Sequence, residues 1–407
     1  MLVGLDQLLG GDFPSLRRRL RAARIGVLSH AAAVDRRGRG VLGVLEDLGV
    51  EAAVVFSPEH GWWGHAQAEE AVASSDAEAG AGRPRIASLY GTSKESLCPA
   101  ADDLAALDVL LVDLVDVGSR YYTFVWSALL AARAAHRAGV HTVVLDRPNP
   151  VSGDPLTLEG RPQREGFLSF VGLEPLPVRH ALTIGELIAH FLRQDGAPLG
   201  PSGALSVVPT RGWERQRTAS AWDRPFVAPS PNMPTLETAL VYPGGCLVEG
   251  TNLSEGRGTT LPFQTVGAPF VDGEALAASL AEAGTPGALV RPVEFCPKFE
   301  KHAGEVCSGV MIHVTNPALF RPVATYLRLI TLAARQAGDR FSFRTEPYEF
   351  ETEIPAFDLL TGSDDARQAI RNGSPPEEVV ALVAPLPPDW EALPRKAEAL
   401  LGDCLPE

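Results

Sequence analysis

The chain has 407 residues and a formal net charge of −14, with 45% hydrophobic and 21% charged residues. This length predicts two domains, because single hydrophobic cores rarely grow beyond about 250–300 residues. The composition is typical of a folded globular protein. The acidic balance argues against binding to nucleic acid or to anionic membranes, since both require clustered lysine and arginine.

The cysteines and the N-terminal segment argue against several further classes of protein. Five cysteines occur and no two of them form a CxxC pair, which argues against a disulfide framework and a zinc knuckle. Asp6 interrupts the only apolar stretch near the N-terminus, so we expect neither a signal peptide nor a transmembrane segment. These features predict a cytoplasmic protein without a bound metal, and they say nothing of its oligomeric state.

Five short apolar runs precede polar or glycine-rich turns, and they are too short and too rich in β-branched residues to be buried helices. They are IGVLSH (25–30), AAVVFSPEHG (52–61), RIASLYG (85–91), DVLLVDLVDVGSR (108–120) and HTVVLDRPNP (141–150). Helical patterns lie between them, at 41–48 and 127–138. Such alternation predicts a parallel sheet built of right-handed βαβ units. We therefore expect an α/β fold, with a Rossmann-like doubly wound domain over residues 1–235 and a smaller α+β domain over residues 236–407.

Polar side chains follow most of these predicted strands. In an open parallel sheet, ligands bind in the crevice outside the carboxyl ends of the strands. We therefore expect an active site at this edge of the sheet. The candidate residues there are Glu59, His60, Tyr90, Asp113, Asp116, Arg120, Tyr121, Asp146, Arg147 and Asn149.

Two short patterns resemble cofactor or metal sites only weakly. The string GRGVLG (38–43) has the GxGxxG spacing, but residues 31–37 separate it from the strand end at which a dinucleotide fingerprint begins. His60 and His65 lack the helical HExxH spacing of zinc ligands. We favour an ordinary glycine-rich loop for the first pattern, and substrate hydrogen bonding or a solvated surface for the two histidines, so we expect neither a cofactor nor a metal.

The segment SPEHGWWGHAQ (57–67) holds the first candidate for catalysis. Glu59 stands beside His60 at a strand-to-loop turn, and Trp62 and Trp63 follow. Aromatic rings pack against sugar faces and exclude water, and a carboxyl group in such a pocket can stay protonated as a general acid. The structural alternative is a glutamate that caps the loop by accepting backbone N–H groups.

Further candidates lie after the fourth predicted strand and in two later loops. Asp116 either pairs with Arg120 or faces a substrate, while Arg120 has the fork geometry that binds a carboxylate. The later segments SPNMPT (230–235) and VEGTNLSEGRGTTLPF (248–263) are dense in Gly, Asn and Ser, which suits a loop that closes over a ligand. A flexible solvent-exposed loop is the alternative. The candidates in these loops are Asn232, Glu249, Asn252, Glu255 and Arg257.

Ten segments in one order closely resemble the exo-β-N-acetylmuramidase family of glycoside hydrolases. They are PEHG, AQAEE, SLYG, DVGSRYYTF, LDRPNP, SFVG, HALTIGEL, PSPNMPT, EGTNLSEGRGTT and CSGVMIHVT, and the similarity runs from GLDQLL near the N-terminus to the C-terminal helix. The resemblance implies a cleft between a Rossmann-like domain and a smaller one. It also implies release of N-acetylmuramic acid from the non-reducing end of peptidoglycan fragments, with Glu59 at the position of the family's catalytic glutamate.

The reaction implied is hydrolysis of a terminal β-1,4 bond, with Glu59 protonating the leaving oxygen. Either a second carboxylate or the acetamido group of the substrate meets the oxocarbenium-like centre, and Glu249, Glu255 and Asp116 are the candidate carboxylates. Arg120, Arg147 or Arg257 would bind the lactyl carboxylate. A non-catalytic protein that binds cell-wall sugars and an ester or amide hydrolase are the alternative functions.

Overall fold

The computed structural model describes residues 1–74 and 84–406. Six strands form the first sheet, and they are β1 (Ile25–Ser29), β2 (Ala52–Ser57), β3 (Arg85–Ser88), β4 (Val109–Asp113), β5 (His141–Leu145) and β6 (Leu205–Val208). All of them pair in parallel, in the order β3-β2-β1-β4-β5-β6. The strand order reverses between β1 and β4, which is the point where such sheets open a crevice for ligands.

Helices cover both faces of this sheet, which explains why β1, β4 and β5 are buried throughout. The helices of this part are α1 (Gly4–Gly10), α2 (Pro14–Ala22), α3 (Val41–Asp47), α4 (Ala101–Ala105), α5 (Phe124–Arg137) and α6 (Ile184–Gln194). The leucines and valines of α1, α2 and α3 pack on one face. Those of α4, α5 and α6 pack on the other, in a core that continues into the second half of the chain.

The second half contains a three-stranded antiparallel sheet and seven helices among the described residues. Its strands are β7 (Thr265–Ala268), β8 (Ala288–Phe295) and β9 (Cys307–Val314), in the order β7-β9-β8. Its helices are α7 (Leu236–Gly245), α8 (Gly273–Ala283), α9 (Pro322–Ala337), α10 (Ala356–Thr361), α11 (Asp365–Arg371), α12 (Pro376–Val383) and α13 (Leu393–Leu401). The last helix returns to the first half and packs against α6.

The predicted fold class is confirmed, since a doubly wound parallel sheet is joined to a smaller part that mixes helices with antiparallel strands. Each of the five predicted strands of the first sheet exists, and the predicted helices coincide with α3 and α5. The domain boundary at residue 235 stays a prediction. Over residues 1–74 and 84–406, we find no helix with the length and apolar character needed to cross a membrane.

Candidate active site

A narrow pocket lies where the loops after β2 and β4 meet segments from the second half of the chain. Its cavity has a volume of about 30 Å³. Six of the residues that the sequence singles out line it: Glu59, His60, Tyr121, Asn232, Glu249 and Arg257. Six other lining residues carry polar groups and were not predicted from the sequence: Tyr122, Thr123, Ser230, Tyr242, Tyr348 and Glu349.

Glu59 occupies the floor of this pocket and has only 4% of its surface exposed. Glu59 lies in the loop that follows β2, at the carboxyl edge of the parallel sheet. One carboxylate oxygen accepts the Thr123 hydroxyl at 2.5 Å, and the other accepts the backbone N–H of Glu69 at 3.4 Å. Thr123 directly precedes α5. No arginine or lysine of the described residues pairs with Glu59.

Glu349 is a second carboxyl in the same pocket and comes from the loop after α9. It is 7% exposed and accepts the Tyr90 hydroxyl at 2.9 Å. Burial, and then the charge of Glu59, raises the pKa of Glu349 well above the ordinary range of a glutamate. The only signal in the sequence was a glutamate between two aromatic residues, Tyr348 and Phe350, in a segment without helical or strand periodicity.

Glu249 and Glu255 belong to a buried ion-pair network instead. Arg257 donates to Glu249 at 2.6 Å and lies 3.3 Å from Glu255, while Lys301 lies 3.0 Å from Glu255. The Tyr348 hydroxyl also donates to Glu249 at 2.6 Å. Burial opposes ionisation of Glu249, but Arg257 and Tyr348 more than offset it, so the pKa of this carboxyl lies below its ordinary value. Glu249 is therefore held as an anion.

The backbone around the pocket is strained at several residues. His60, Phe263 and Glu349 line it with φ of 69°, 64° and 48°, and Glu69 beside it has φ of 62°. Left-handed backbone at residues other than glycine costs on the order of 1–3 kcal/mol each and persists where the surrounding structure enforces it. The Nδ1 atom of His60 contacts the Ala66 carbonyl oxygen at 2.8 Å, which fixes the ring in the pocket wall.

Arg120 lies outside the cavity and is completely buried. Its guanidinium donates to the backbone carbonyls of Arg161, Leu176 and Leu360. The Tyr121 hydroxyl donates to the same Leu360 carbonyl, so only the ring of Tyr121 faces the pocket. Arg120 thus ties loops together and presents no group to a substrate.

The rim residues after β5, together with Asp116, are also used within the protein. Arg147 makes a two-pronged contact with Asp113, at 2.6 and 2.9 Å. Asp146 accepts the Thr183 hydroxyl and the Gly185 N–H, and burial raises its pKa to about 6. Asn149 bonds Leu182 and Val151, and Asp116 accepts the N–H of Gly118 beside His180. These contacts stabilise the carboxyl edge of the sheet rather than a substrate.

The expected tryptophan wall beside Glu59 is wrong. Trp63 is 61% exposed, and Trp62 packs with the core under α3. Glycines with positive φ at positions 61 and 64 turn this stretch away from the cavity. The aromatic walls come from later elements instead, and they are Tyr122, Tyr242, Phe263 and Tyr348.

A wider groove adjoins the pocket, since Ala68 lines both. The groove has a volume of about 1300 Å³, and Asn252 lies in its wall with its amide bonded to the backbone of Arg340 and Ser342. Glu69 and Arg344 line it on the side nearest the pocket and form an ion pair at 2.9 and 3.1 Å. The site is therefore a narrow acidic pocket beside an open groove.

No group of three His, Cys, Asp or Glu side chains suited to a metal ion occurs within residues 1–74 and 84–406. The glycine-rich string at 38–43 begins after a turn and leads into α3, away from the end of β1. The chemistry that the pocket offers is that of two unpaired carboxyl groups, a buried arginine and aromatic walls.

Comparison with known proteins agrees with this architecture. Residues 25–237 match the family model of the exo-beta-N-acetylmuramidase NamZ N-terminal domain, and residues 240–397 match that of its C-terminal domain. The peptidoglycan beta-N-acetylmuramidase NamZ of Bacillus subtilis (strain 168) is 38% identical over 378 residues, which cover 93% of this chain and 86% of that protein.

Two crystal structures of DUF1343 family proteins from Bacteroides fragilis NCTC 9343 are similar over the whole fold. The first is 25% identical with a TM-score of 0.80 and covers 98% of this chain and 97% of its own. The second is also 25% identical, with a TM-score of 0.69 and coverage of 99% and 98%. With both family models matched in order, the chain belongs to the exo-beta-N-acetylmuramidase NamZ family.

Proposed function

We propose that this protein is a glycoside hydrolase that releases terminal N-acetylmuramic acid from the non-reducing end of peptidoglycan fragments. The observation that carries the proposal is the pair of buried carboxyl groups without a cation, Glu59 and Glu349, in one pocket. Glycosidases use two carboxyl groups that flank the scissile bond. Family membership and the name of the Bacillus relative supply the identity of the sugar.

Arg257 is the residue best placed to recognise the carboxylate that distinguishes muramic acid from other amino sugars. Its Nη2 and Nε atoms face Glu249 and Glu255, while no partner contacts its Nη1 among the described residues. A charge-assisted hydrogen bond of this kind contributes on the order of 1.5–3 kcal/mol. Of the three arginines that the sequence suggested for this role, Arg257 alone lines the pocket.

Exo-cleavage follows from the shape of the site. The pocket is enclosed by two halves of the chain, so a glycan enters it only by its end, and the adjoining groove has room for the rest of the chain. A cavity of about 30 Å³ is far below the roughly 300–1,000 Å³ of ligand sites. Binding of a sugar ring therefore requires the pocket walls to separate. A product of this reaction is free amino sugar, which suits recycling of cell-wall material.

The test is to incubate the purified protein with peptidoglycan disaccharides and measure free N-acetylmuramic acid by mass spectrometry. We expect release by the wild type and a loss of about 10²–10⁴-fold in Glu59→Gln, the range for removal of a catalytic acid or base. Glu70→Gln is the matched control, because Glu70 is exposed on the same loop. Binding without release would indicate a sugar-binding protein, and retained turnover in Glu59→Gln would exclude Glu59 from catalysis.

A further inference from the structure

The pocket contains a carboxyl group, that of Glu349, which was not among the catalytic candidates predicted from the sequence. Glu349 lies with Glu59 in the same cavity, and neither residue forms an ion pair among the described residues. We propose that Glu349 is the proton donor to the leaving oxygen and that Glu59 is its ionised partner. This inference rests on the proposed hydrolase function and reverses the role that was predicted for Glu59 from the sequence.

The hydrogen-bond donors around Glu59 and Glu349 favour the ionised form of one carboxyl group over that of the other. Glu59 accepts two donors, the Thr123 hydroxyl and the Glu69 backbone N–H, and such donors stabilise a carboxylate. Glu349 accepts one, from the Tyr90 hydroxyl, and its other oxygen has no partner among the described residues. The oxygen without a partner is free to carry a proton toward a ligand in the cavity.

The surrounding charges favour the same distribution. Arg257 in the pocket and Arg344 beside it each form an ion pair with a different carboxylate, Glu249 and Glu69 respectively. Glu59, Glu69 and Glu249 place negative charge near Glu349, and Tyr90 donates a hydrogen bond to it. Two buried carboxyl groups without a cation do not both ionise, so one of them keeps its proton. Burial and the charge of Glu59 raise the pKa of Glu349, which agrees with its being the protonated group.

The backbone holds Glu349 in place for this task. Glu349 and Phe350 have φ of 48° and 64°, an uncommon conformation that the surrounding contacts enforce. The ring of Phe350 packs edge-on against Tyr90, with ring centres 5.3 Å apart. Tyr90 thus contacts both residues of the strained pair and orients the carboxyl group of Glu349, which makes it a positioning residue.

In the proposed step the C1–O bond of the glycoside breaks and a bond from water to C1 forms. The Glu349 carboxyl gives its proton to the glycosidic oxygen, and this oxygen leaves with the electron pair of the C1–O bond. The cationic sugar centre that forms is stabilised by the Glu59 carboxylate. One water adds to the anomeric carbon and loses a proton to a pocket carboxylate, and exchange of that proton restores Glu349. One water is consumed for each bond that is broken.

Leaving groups of different acidity test which carboxyl group supplies the proton. A disaccharide releases a sugar alcohol that requires protonation, whereas a 2,4-dinitrophenyl glycoside of N-acetylmuramic acid releases a phenolate that does not. We expect Glu349→Gln to lose about 10²–10⁴-fold in kcat/KM on the disaccharide and less than about tenfold on the dinitrophenyl glycoside. Glu59→Gln should lose activity on both substrates. A loss in Glu59→Gln that disappears with the activated substrate would overturn the assignment.

The pH profile gives a second readout that a structural role would not change. The alkaline decline of kcat/KM on the disaccharide reports deprotonation of the acid. It should be absent in Glu349→Gln and present in Glu349→Asp, which keeps an ionisable group. Glu353→Gln is the matched control, because Glu353 is exposed on the same segment and does not line the groove. An unchanged alkaline decline in a folded Glu349→Gln protein also overturns the proposal. Wild-type failure on both substrates would instead refute the hydrolase function.

Discussion

Replacement of Arg257 by methionine tests whether the buried ion-pair network supports the pocket. Arg257 is largely buried between Glu249 and Glu255, and its guanidinium lies 5.2 Å from the ring centre of Phe263. Removal of one partner of a buried ion pair costs about 3–5 kcal/mol, because the other charge is left uncompensated. Lys301 still faces Glu255 in the variant, so the uncompensated charge falls on Glu249. We expect Arg257→Met to lose about 3–5 kcal/mol of unfolding free energy at pH 8.

The loss should depend on pH in a defined direction. In the wild type the pKa of Glu249 lies below its ordinary value, so its contribution is complete at neutral pH and disappears only in acid. Without Arg257, burial dominates and raises the pKa of this carboxyl above its unfolded value. The folded variant then binds a proton that the unfolded chain releases, and its stability falls as pH rises, by at most about 1.4 kcal/mol per pH unit. The difference from wild type is therefore smaller at pH 5 than at pH 8.

Urea unfolding at pH 5, 6.5 and 8 measures these differences. The double variant Arg257→Met/Glu249→Gln should recover at least about 2 kcal/mol at pH 8, because the uncompensated charge is removed as well. Arg395→Met is the control, since Arg395 is exposed on α13 and forms no ion pair among the described residues. A loss below about 1 kcal/mol that does not vary with pH would show that the network contributes no more than a surface ion pair.

Two further predictions concern the residues that link the halves of the chain. Tyr90→Phe should move the alkaline decline of kcat/KM to higher pH, because the hydroxyl bond lowers the pKa of Glu349; a profile identical to wild type contradicts this. Glu159→Ala should cost about 2–6 kcal/mol in urea unfolding at pH 5, since Glu159 accepts the buried N–H groups of Val323 and Ala324. Burial raises the pKa of Glu159 to about 7, so this cost shrinks as pH rises toward 8; a cost that grows would refute it.

The first sheet was predictable because its strands carry a local signal. The runs that became β1, β4 and β5 are continuous and apolar, as strands buried on both faces must be. The last strand, β6, has only four residues and follows a loop rich in glycine and proline, so it gave little signal. The helix α1 has seven residues and was also not predicted from the sequence.

Only the part of the site that comes from the first half of the chain was predictable from the sequence. Glu59 follows a recognisable strand, and topology alone places its loop at the ligand edge of the sheet. Glu349 lies in a segment without periodicity, and only the packing of the second half brings it to the cavity. Sequence position also does not reveal whether a polar side chain faces a ligand or a neighbour. Arg120 and Arg147 follow strands as Glu59 does, yet both are bonded within the protein.

Two of the contacts that join the halves of the chain lie in the pocket or beside it, and they differ in how easily they break. The Tyr90–Glu349 hydrogen bond is buried, and breaking it leaves polar groups without partners, at about 1–3 kcal/mol for each group. The Glu69–Arg344 ion pair is partly exposed, and such pairs contribute about 0–1 kcal/mol. Because the weaker contact lines the wide groove, we expect a glycan end to enter from that side. A sugar that entered this way would meet Glu59 and Glu349 with its leaving group still in the groove, which is the geometry that exo-cleavage requires.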